Sequence, residues 1–138
     1  MNRILLILIS LLTMLLSACA SDEKKIRHSA EGFLVGVANY RIEEARPYAT
    51  PKTRCTTLDF IEKTIIPTLP DEVIQQTTPI TIKLERINLT TDTTATVDYT
   101  QTNPNGCTSN QIKLVKRQRK WQVELLTTIP LSSDQQNN

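Results

Sequence analysis

The stretch ITIKLE, residues 80–85, decides the fold of this 138-residue chain. Apolar residues occupy every second position in it, so one face of the segment is apolar and the other polar, as a half-buried β-strand requires. Upstream of Pro79 the apolar residues recur instead at three- and four-residue steps, which is the period of an amphipathic helix. The chain therefore divides into a helical half and a strand half, and this predicts the α+β class.

Three further strands are predicted downstream of residues 80–85. After Glu85 the apolar residues fall one position out of step, which predicts a β-bulge that bends the first strand. Alternation returns in the threonine-rich segment 94–100, and apolar residues mark two later strands at 112–115 and 121–125. The turn signal NPNG at 103–106 separates the second strand from the third. Four strands joined by short turns predict an antiparallel meander.

The helical half is predicted to contain one long helix and two shorter ones. The long helix spans Lys24 to Tyr40, and the second covers residues 42–46 because Pro47 cannot continue it. Thr50 and Pro51 read as an N-cap followed by proline at the first helical position, which starts the third helix. The apolar face predicted for that third helix consists of Cys55, Leu58, Ile61 and Ile65.

The N-terminus matches a secretory signal. A basic start, MNR, precedes an apolar run over residues 4–16 that is short for a membrane-spanning helix. The next residues, LSAC at 16–19, resemble a bacterial lipobox, which implies lipid transfer to the Cys19 thiol, cleavage before Cys19 and acylation of the new amine. Residues 1–18 are then a lipoprotein signal peptide and residues 19–23 a lipidated tether. The alternative is an ordinary signal cleaved after Ala18 or Ala20.

A lipidated Cys19 would anchor the chain to a bacterial envelope membrane, with membrane lipid as its first partner. Ala20, rather than aspartate, follows the cysteine, and in the sorting rule of such lipoproteins this favours the outer membrane. The domain is then expected in the periplasm or at the cell surface.

Cysteine usage and charge narrow the function classes. Cys55 and Cys107 remain as an even pair in an oxidising compartment, which predicts a disulfide, with a metal site or a reactive thiol as the alternatives. Because the chain has no CxxC motif and His28 is its single histidine, no metal site and no cofactor are predicted. The formal net charge of +2 argues against a nucleic-acid partner, since such proteins carry a strongly basic face.

Four short stretches resemble a family of small bacterial lipoproteins of unknown function, whose fold is similar to nuclear transport factor 2 (NTF2) and the ketosteroid isomerases. They are AEGFL at 30–34, EARPYATP at 44–51, IKLVK at 112–116 and KWQV at 120–123. The resemblance implies one NTF2-like domain over residues 24–128. The polar residues at the C-terminus predict a flexible tail over residues 129–138. Family members usually carry a glycine in the last turn, where this chain has Arg119.

The resemblance also implies N-terminal helices packed on a curved four-stranded antiparallel sheet, in the cone shape that NTF2-like and cystatin-like folds share. Such a cone often leaves a pocket, and its candidate lining residues are Tyr40, Tyr48, Tyr99 and Trp121. The alternative for these four side chains is ordinary core packing.

Three functions are weighed on these observations, and no catalytic residue is predicted for the first. It is a non-catalytic binding or accessory module, whose partner is a small ligand, a peptide or an envelope protein. The second is an isomerase-like enzyme that uses the fold's pocket, although Asp98, the strand carboxylate beside an aromatic residue, alternates onto the face opposite Tyr99. The third is a structural homodimer formed through the open sheet face.

Overall fold

A computed structural model describes the backbone of residues 2–125 and the side chains of residues 3–10 and 21–125. Helix α1 runs without a break over Asn2–Ala38, so it joins the predicted signal segment to the predicted amphipathic helix. The Cys19 side chain and the tail at 129–138 lie outside the described residues. Among the residues described, none of the helices is both long and apolar enough to cross a bilayer.

Short helical segments follow α1. Helix α2 covers Ile42–Ala45 and continues into a 3₁₀ turn over Arg46–Tyr48. Helix α3, Pro51–Thr53, continues as π-helical turns over Arg54–Leu58 and Ile61–Ile65 and a 3₁₀ turn over Ile66–Thr68, and helix α4 covers Asp71–Thr77. The predicted start of α3 is confirmed, because the Thr50 side chain accepts a hydrogen bond from the Thr53 N–H and Pro51 is the first helical residue.

The apolar face predicted for the third helix is only partly right. Leu58 is fully buried and Ile61 packs against the core, whereas Cys55 and Ile65 are exposed. The cause is the π-helical geometry, in which backbone hydrogen bonds join residues five apart rather than four. Each π-turn rotates the following side chains relative to an α-helix, so a face drawn with the α-helical period does not stay on the core.

The strand half forms one four-stranded antiparallel sheet in the order β1-β2-β3-β4, which confirms the α+β class and the meander. Its strands are β1 Thr81–Thr91, β2 Thr94–Asn103, β3 Gly106–Arg117 and β4 Lys120–Glu124. The predicted bulge is confirmed, because the pairing of β1 with β2 shifts between Leu84 and Arg86.

One face of the sheet and the apolar face of α1 share a single core. Its fully buried members include Ile26 and Phe33 from α1, Val97 from β2 and Leu114 from β3. Alternate residues of β2 and β3 reach this core because successive side chains of a strand point to opposite faces. Burying a large apolar side chain stabilises the fold by roughly 1.5–3 kcal/mol, so this layer holds α1 on the sheet.

Polar contacts fix the ends of the helices relative to the sheet. The Asn39 side chain accepts a hydrogen bond from the Ile80 N–H at 2.9 Å and donates to the Ile80 carbonyl at 3.3 Å, which ties the end of α1 to the start of β1. On the other side, the Thr50 N–H donates to the Val123 carbonyl at 3.0 Å. The chain before α3 thereby pairs with the edge strand β4.

Arg46 connects the segment after α2 to the helical turns that follow α3. Its guanidinium donates to Glu43 at 2.7 Å, to Asp59 at 2.8 Å and to Glu62. These carboxylates, with Asp59 contributing most, raise the pKa of Arg46, and Arg46 in turn lowers the pKa of Asp59. Because a guanidinium presents several donors in a rigid plane, one side chain can join three carboxylates in this way.

The predicted disulfide between Cys55 and Cys107 is not formed in the structure, where both residues are exposed free thiols. Cys107 lies next to the β2–β3 turn and pairs with Thr102, and Cys55 lies in the first π-helical turn. An even number of cysteines says nothing about the distance between them, whereas a disulfide needs Cα atoms within about 7 Å.

Candidate functional site

The candidate site is a groove between α1, the turn that contains Pro47 and the β3–β4 turn, and we call it the basic groove. Its volume is about 560 Å³. The residues that line it are Ser21, Lys24, Lys25, His28, Ser29, Pro47, Tyr48, Arg119, Lys120, Trp121 and Gln122. Two lysines come from α1, and Arg119 and Lys120 come from the opposite wall. Among the described lining residues there is no carboxylate, so the groove favours a ligand with negative charge.

Two aromatic side chains give the basic groove an apolar wall. The Tyr48 ring meets the His28 ring edge to face, with centroids 5.4 Å apart and an angle of 85°. Tyr48 lies against α1 at Gly32, where any side chain would overlap the tyrosine ring. Trp121 also lines the groove, but it is only 3% exposed, so most of its ring is packed in the core. The groove thus combines cations with a flat apolar surface, a mixture typical of ligand sites.

Asp22 joins α1 to the strands that form the second wall of the groove. The Trp121 indole N–H donates to Asp22 Oδ1 at 3.1 Å, and the Lys116 ammonium donates to the same oxygen at 3.1 Å. Lys116 Nζ also lies 5.8 Å from the centroid of the Trp121 ring, within the range of a cation–π contact. We call these three residues the Asp22 clasp.

The contacts of the Asp22 clasp change the pKa of the Asp22 carboxyl group. The hydrogen bond from Trp121, followed by the hydrogen bond and charge of Lys116, holds the pKa of Asp22 below its ordinary value, although burial acts in the opposite direction. The ionised form is therefore the one that the folded protein stabilises.

The β3–β4 turn that carries Arg119 has a conformation that its residues disfavour. Gln118 and Arg119 have φ values of 50° and 65°, both in the left-handed region. Two-residue hairpin turns of this kind prefer glycine or asparagine, because a side chain in the left-handed region costs roughly 1–2 kcal/mol. Arg119 therefore occupies, at a conformational cost, the place where the resembling family usually has glycine, and it lines the groove there.

The four aromatic residues predicted for one pocket do not lie together. Tyr48 and Trp121 both line the basic groove. Tyr40 lies in the turn after α1, which ends at Ala38 rather than at the predicted Tyr40; it has a φ of 60°, and its hydroxyl lies 3.4 Å from Thr77 Oγ1. Tyr99 packs against the core from β2, and this burial raises the pKa of its hydroxyl. Two of the four predictions are therefore wrong as a shared site, because Tyr40 and Tyr99 belong to other regions of the fold.

Sequence reasoning missed the charged residues of the site. Lys24 and Lys25 are adjacent in the chain, as are Arg119 and Lys120, but nothing in either dipeptide shows that they face each other across one groove. From the sequence, Asp22 is expected only as part of the lipidated tether over residues 19–23. A hint was available in Arg119 itself, since an arginine at a turn position that favours glycine indicates a demand on its side chain.

Asp98, the carboxylate considered for isomerase-like chemistry, lies apart from the basic groove. Asp98 Oδ1 accepts a hydrogen bond from Gln111 Nε2 at 2.6 Å, an exposed contact between β2 and β3. The described side chains include no group of three or more histidine, cysteine, aspartate or glutamate residues that could hold a metal ion.

Comparison with known proteins identifies the architecture. No protein-family model matches the chain, and no curated protein matches it. A crystal structure from Campylobacter jejuni, described as a candidate NTF2-like transpeptidase, superposes with a TM-score of 0.51 over 70% of this chain and 94% of that one. The fold is NTF2-like. At 16% sequence identity the likeness extends to the NTF2-like fold alone, and function has to be argued from the site.

Proposed function

We propose that this chain is a bacterial envelope lipoprotein, anchored through Cys19, whose NTF2-like domain is a non-catalytic binding module. The observation that carries the proposal is the Asp22 clasp, because Asp22 lies only three residues after Cys19. Three residues span about 4.5 Å as a helix and at most about 11 Å when extended. A lipid on Cys19 would therefore hold the packed domain, and the basic groove with it, against the membrane surface.

The exposure of the N-terminal residues supports the same proposal. The run of apolar side chains from Ile4 to Ile9 is between 52% and 68% exposed, so these side chains are not buried in the NTF2-like core. Apolar side chains at such exposure favour transfer into a lipid environment, as a signal segment requires during export.

Incorporation of radiolabelled palmitate in growing cells tests the anchor. The wild-type chain and the control variant Cys55→Ser should both carry the label and sediment with membranes, because Cys55 lies outside the lipobox. The variant Cys19→Ser should lose both properties. Label retained in Cys19→Ser, or absent from the wild type, would contradict the proposed anchor.

Membrane sorting is a separate part of the proposal. The residue after Cys19 is Ala20, and we propose the outer membrane as the destination, with the domain in the periplasm or at the cell surface. In a sucrose gradient the wild type should sediment with outer-membrane markers, and Ala20→Asp should move to the inner-membrane fraction. Identical distributions of the two proteins would refute this assignment.

A further inference from the structure

We propose that the basic groove binds the phosphate headgroup of an anionic glycerophospholipid, in the membrane to which the chain is anchored. The inference deepens the proposed function and rests on it, because the anchor is what places the groove at a membrane. It names the ligand class of the binding module, a lipid of the phosphatidylglycerol type, and it assigns a purpose to the four cations that the fold gathers there.

The groove is lined by positively charged side chains. Lys24 and Lys25 on one wall and Arg119 and Lys120 on the other are all exposed, and no carboxylate is among the described residues that line the groove. The nearby carboxylate of Asp22 is hydrogen-bonded to Trp121 and Lys116, and of the four cations it also attracts Lys25. An anionic phosphate between the two walls would be attracted by cations from both sides.

The position of the groove, close to the proposed anchor, favours a lipid over a free anion. Ser21 lines the groove and lies two residues after Cys19, so the groove begins within about 7 Å of the lipidated residue. That distance is shorter than the Debye length of about 8 Å at physiological ionic strength. The groove therefore begins within the electrostatic reach of an anionic bilayer surface.

The apolar wall of the groove also favours a lipid over an inorganic anion. Tyr48 presents ring surface beside the cations and Pro47 extends it, whereas Trp121, which is 3% exposed, contributes only a small part of its ring. Tyrosine and tryptophan favour the depth of lipid headgroups, where one side of the ring is apolar and the other meets polar groups. An inorganic anion would make no use of this wall, whereas the glycerol and first acyl carbons of a lipid would pack on it.

The conformation of the β3–β4 turn supports a role for the Arg119 side chain in the groove. Arg119 is kept in the left-handed region although glycine would relieve the turn. Backbone strain of this kind is typical of functional positions, and the side chain that glycine would remove is one of the four cations. The turn therefore predicts a variant, Arg119→Gly, that folds better and binds more weakly.

Fluorescence titration of the full-length chain in zwitterionic micelles tests the proposal. Trp121 is the single tryptophan of the chain and lines the groove, so its emission reports occupancy. The probes are short-chain phosphatidylglycerol, short-chain phosphatidylcholine and inorganic phosphate. We expect saturable binding of phosphatidylglycerol that weakens with added salt, and no comparable response to the other two. Equal binding of phosphatidylcholine, or equal binding of inorganic phosphate, would overturn the assignment to an anionic lipid.

Variants assign the binding to the groove. Lys24→Gln and Lys120→Gln should each weaken binding of phosphatidylglycerol about fivefold, the usual effect of one cation near an anionic lipid surface. Lys52→Gln and Lys83→Gln, which remove exposed lysines outside the groove, should leave the affinity unchanged. The same loss in all four variants would show that net charge alone acts, and would refute a defined site.

The Arg119→Gly variant separates binding from folding. It should bind phosphatidylglycerol about fivefold more weakly and unfold at a higher temperature than the wild type, so its loss of binding cannot come from misfolding. Unchanged affinity would count against the groove. The titration uses purified protein and does not depend on lipid at Cys19, so its failure would leave the palmitate result intact, and the reverse also holds.

Discussion

Replacing Asp22 tests whether the clasp holds α1 against the sheet. Two donors, the Trp121 indole N–H and the Lys116 ammonium, converge on Asp22 Oδ1 at 3.1 Å. In Asp22→Ala the buried indole N–H loses its acceptor, which costs about 1–3 kcal/mol, and the ion pair with Lys116 contributes about 0.2–1 kcal/mol more. We expect the free energy of unfolding to fall by about 2–3 kcal/mol, a large part of the roughly 5–15 kcal/mol typical of a domain.

The variant Asp22→Asn separates the two contributions. Its side-chain carbonyl can still accept from Trp121, but its charge is lost, so we expect a decrease of only about 1 kcal/mol in the free energy of unfolding. Urea unfolding of the full-length chain in micelles, followed by Trp121 fluorescence, measures both variants. Glu23→Ala is the control, because this exposed neighbour pairs with Arg27 at 3.7 Å along the helix and should cost less than about 0.5 kcal/mol.

Acid should remove the contribution of the clasp. Because the pKa of Asp22 is lower in the folded than in the unfolded state, its stabilisation is fully present above the ordinary aspartate pKa of about 3.9. It is lost as the pH falls through the lowered folded pKa. The stability difference between the wild type and Asp22→Asn should therefore shrink below about pH 4. Equal stabilities of Asp22→Ala, Asp22→Asn and Glu23→Ala at neutral pH would refute the reasoning.

Substitutions at three further positions test other contacts by thermal or urea unfolding. Gly32→Ala should destabilise the fold by about 1–3 kcal/mol, because its methyl group would overlap the Tyr48 ring; unchanged stability would show that the ring moves freely. Thr53→Val removes the buried hydroxyl that accepts a hydrogen bond from the Leu125 N–H at 3.0 Å, and it should lower the free energy of unfolding by about 1–2 kcal/mol. Thr53→Ser keeps this hydroxyl and should be more stable than Thr53→Val. Arg46→Ala and Arg46→Lys should both lower the unfolding midpoint, with the smaller effect for lysine, since an ammonium cannot contact three carboxylates in one plane. A lysine variant as stable as the wild type would contradict that view of Arg46.

The strand half was predictable because its signals are local. Alternation over residues 80–85 places Ile82 and Leu84 toward the core, and the break in phase after Glu85 appears as the bulge between Leu84 and Arg86. Both features depend on neighbouring residues of one strand. The start of α3 at Thr50 and Pro51 was predictable for the same reason, since a cap is formed by residues three apart.

The helical segment after α3 shows where local signals fail. A regular α-helical period predicts Cys55 and Ile65 on the buried face, but the π-helical turns displace both to the surface. No residue type specifies a π-turn, which forms where packing of the surrounding elements favours it. The predicted disulfide was wrong for the same reason, because the separation of Cys55 from Cys107 depends on how the helices pack against the β2–β3 hairpin.

The sequence by itself determined the α+β class, the order of the elements and the approximate positions of the four strands, although β3 begins at Gly106, well before the predicted 112. It also predicts a signal-like N-terminus with a candidate anchor at Cys19. Only the tertiary structure decided the basic groove, which brings Lys24 and Lys25 from α1 opposite Arg119 and Lys120 from the β3–β4 turn. The physical reason is that periodicity and capping act between residues a few positions apart, whereas the groove depends on the register of the sheet and the packing of α1 across it.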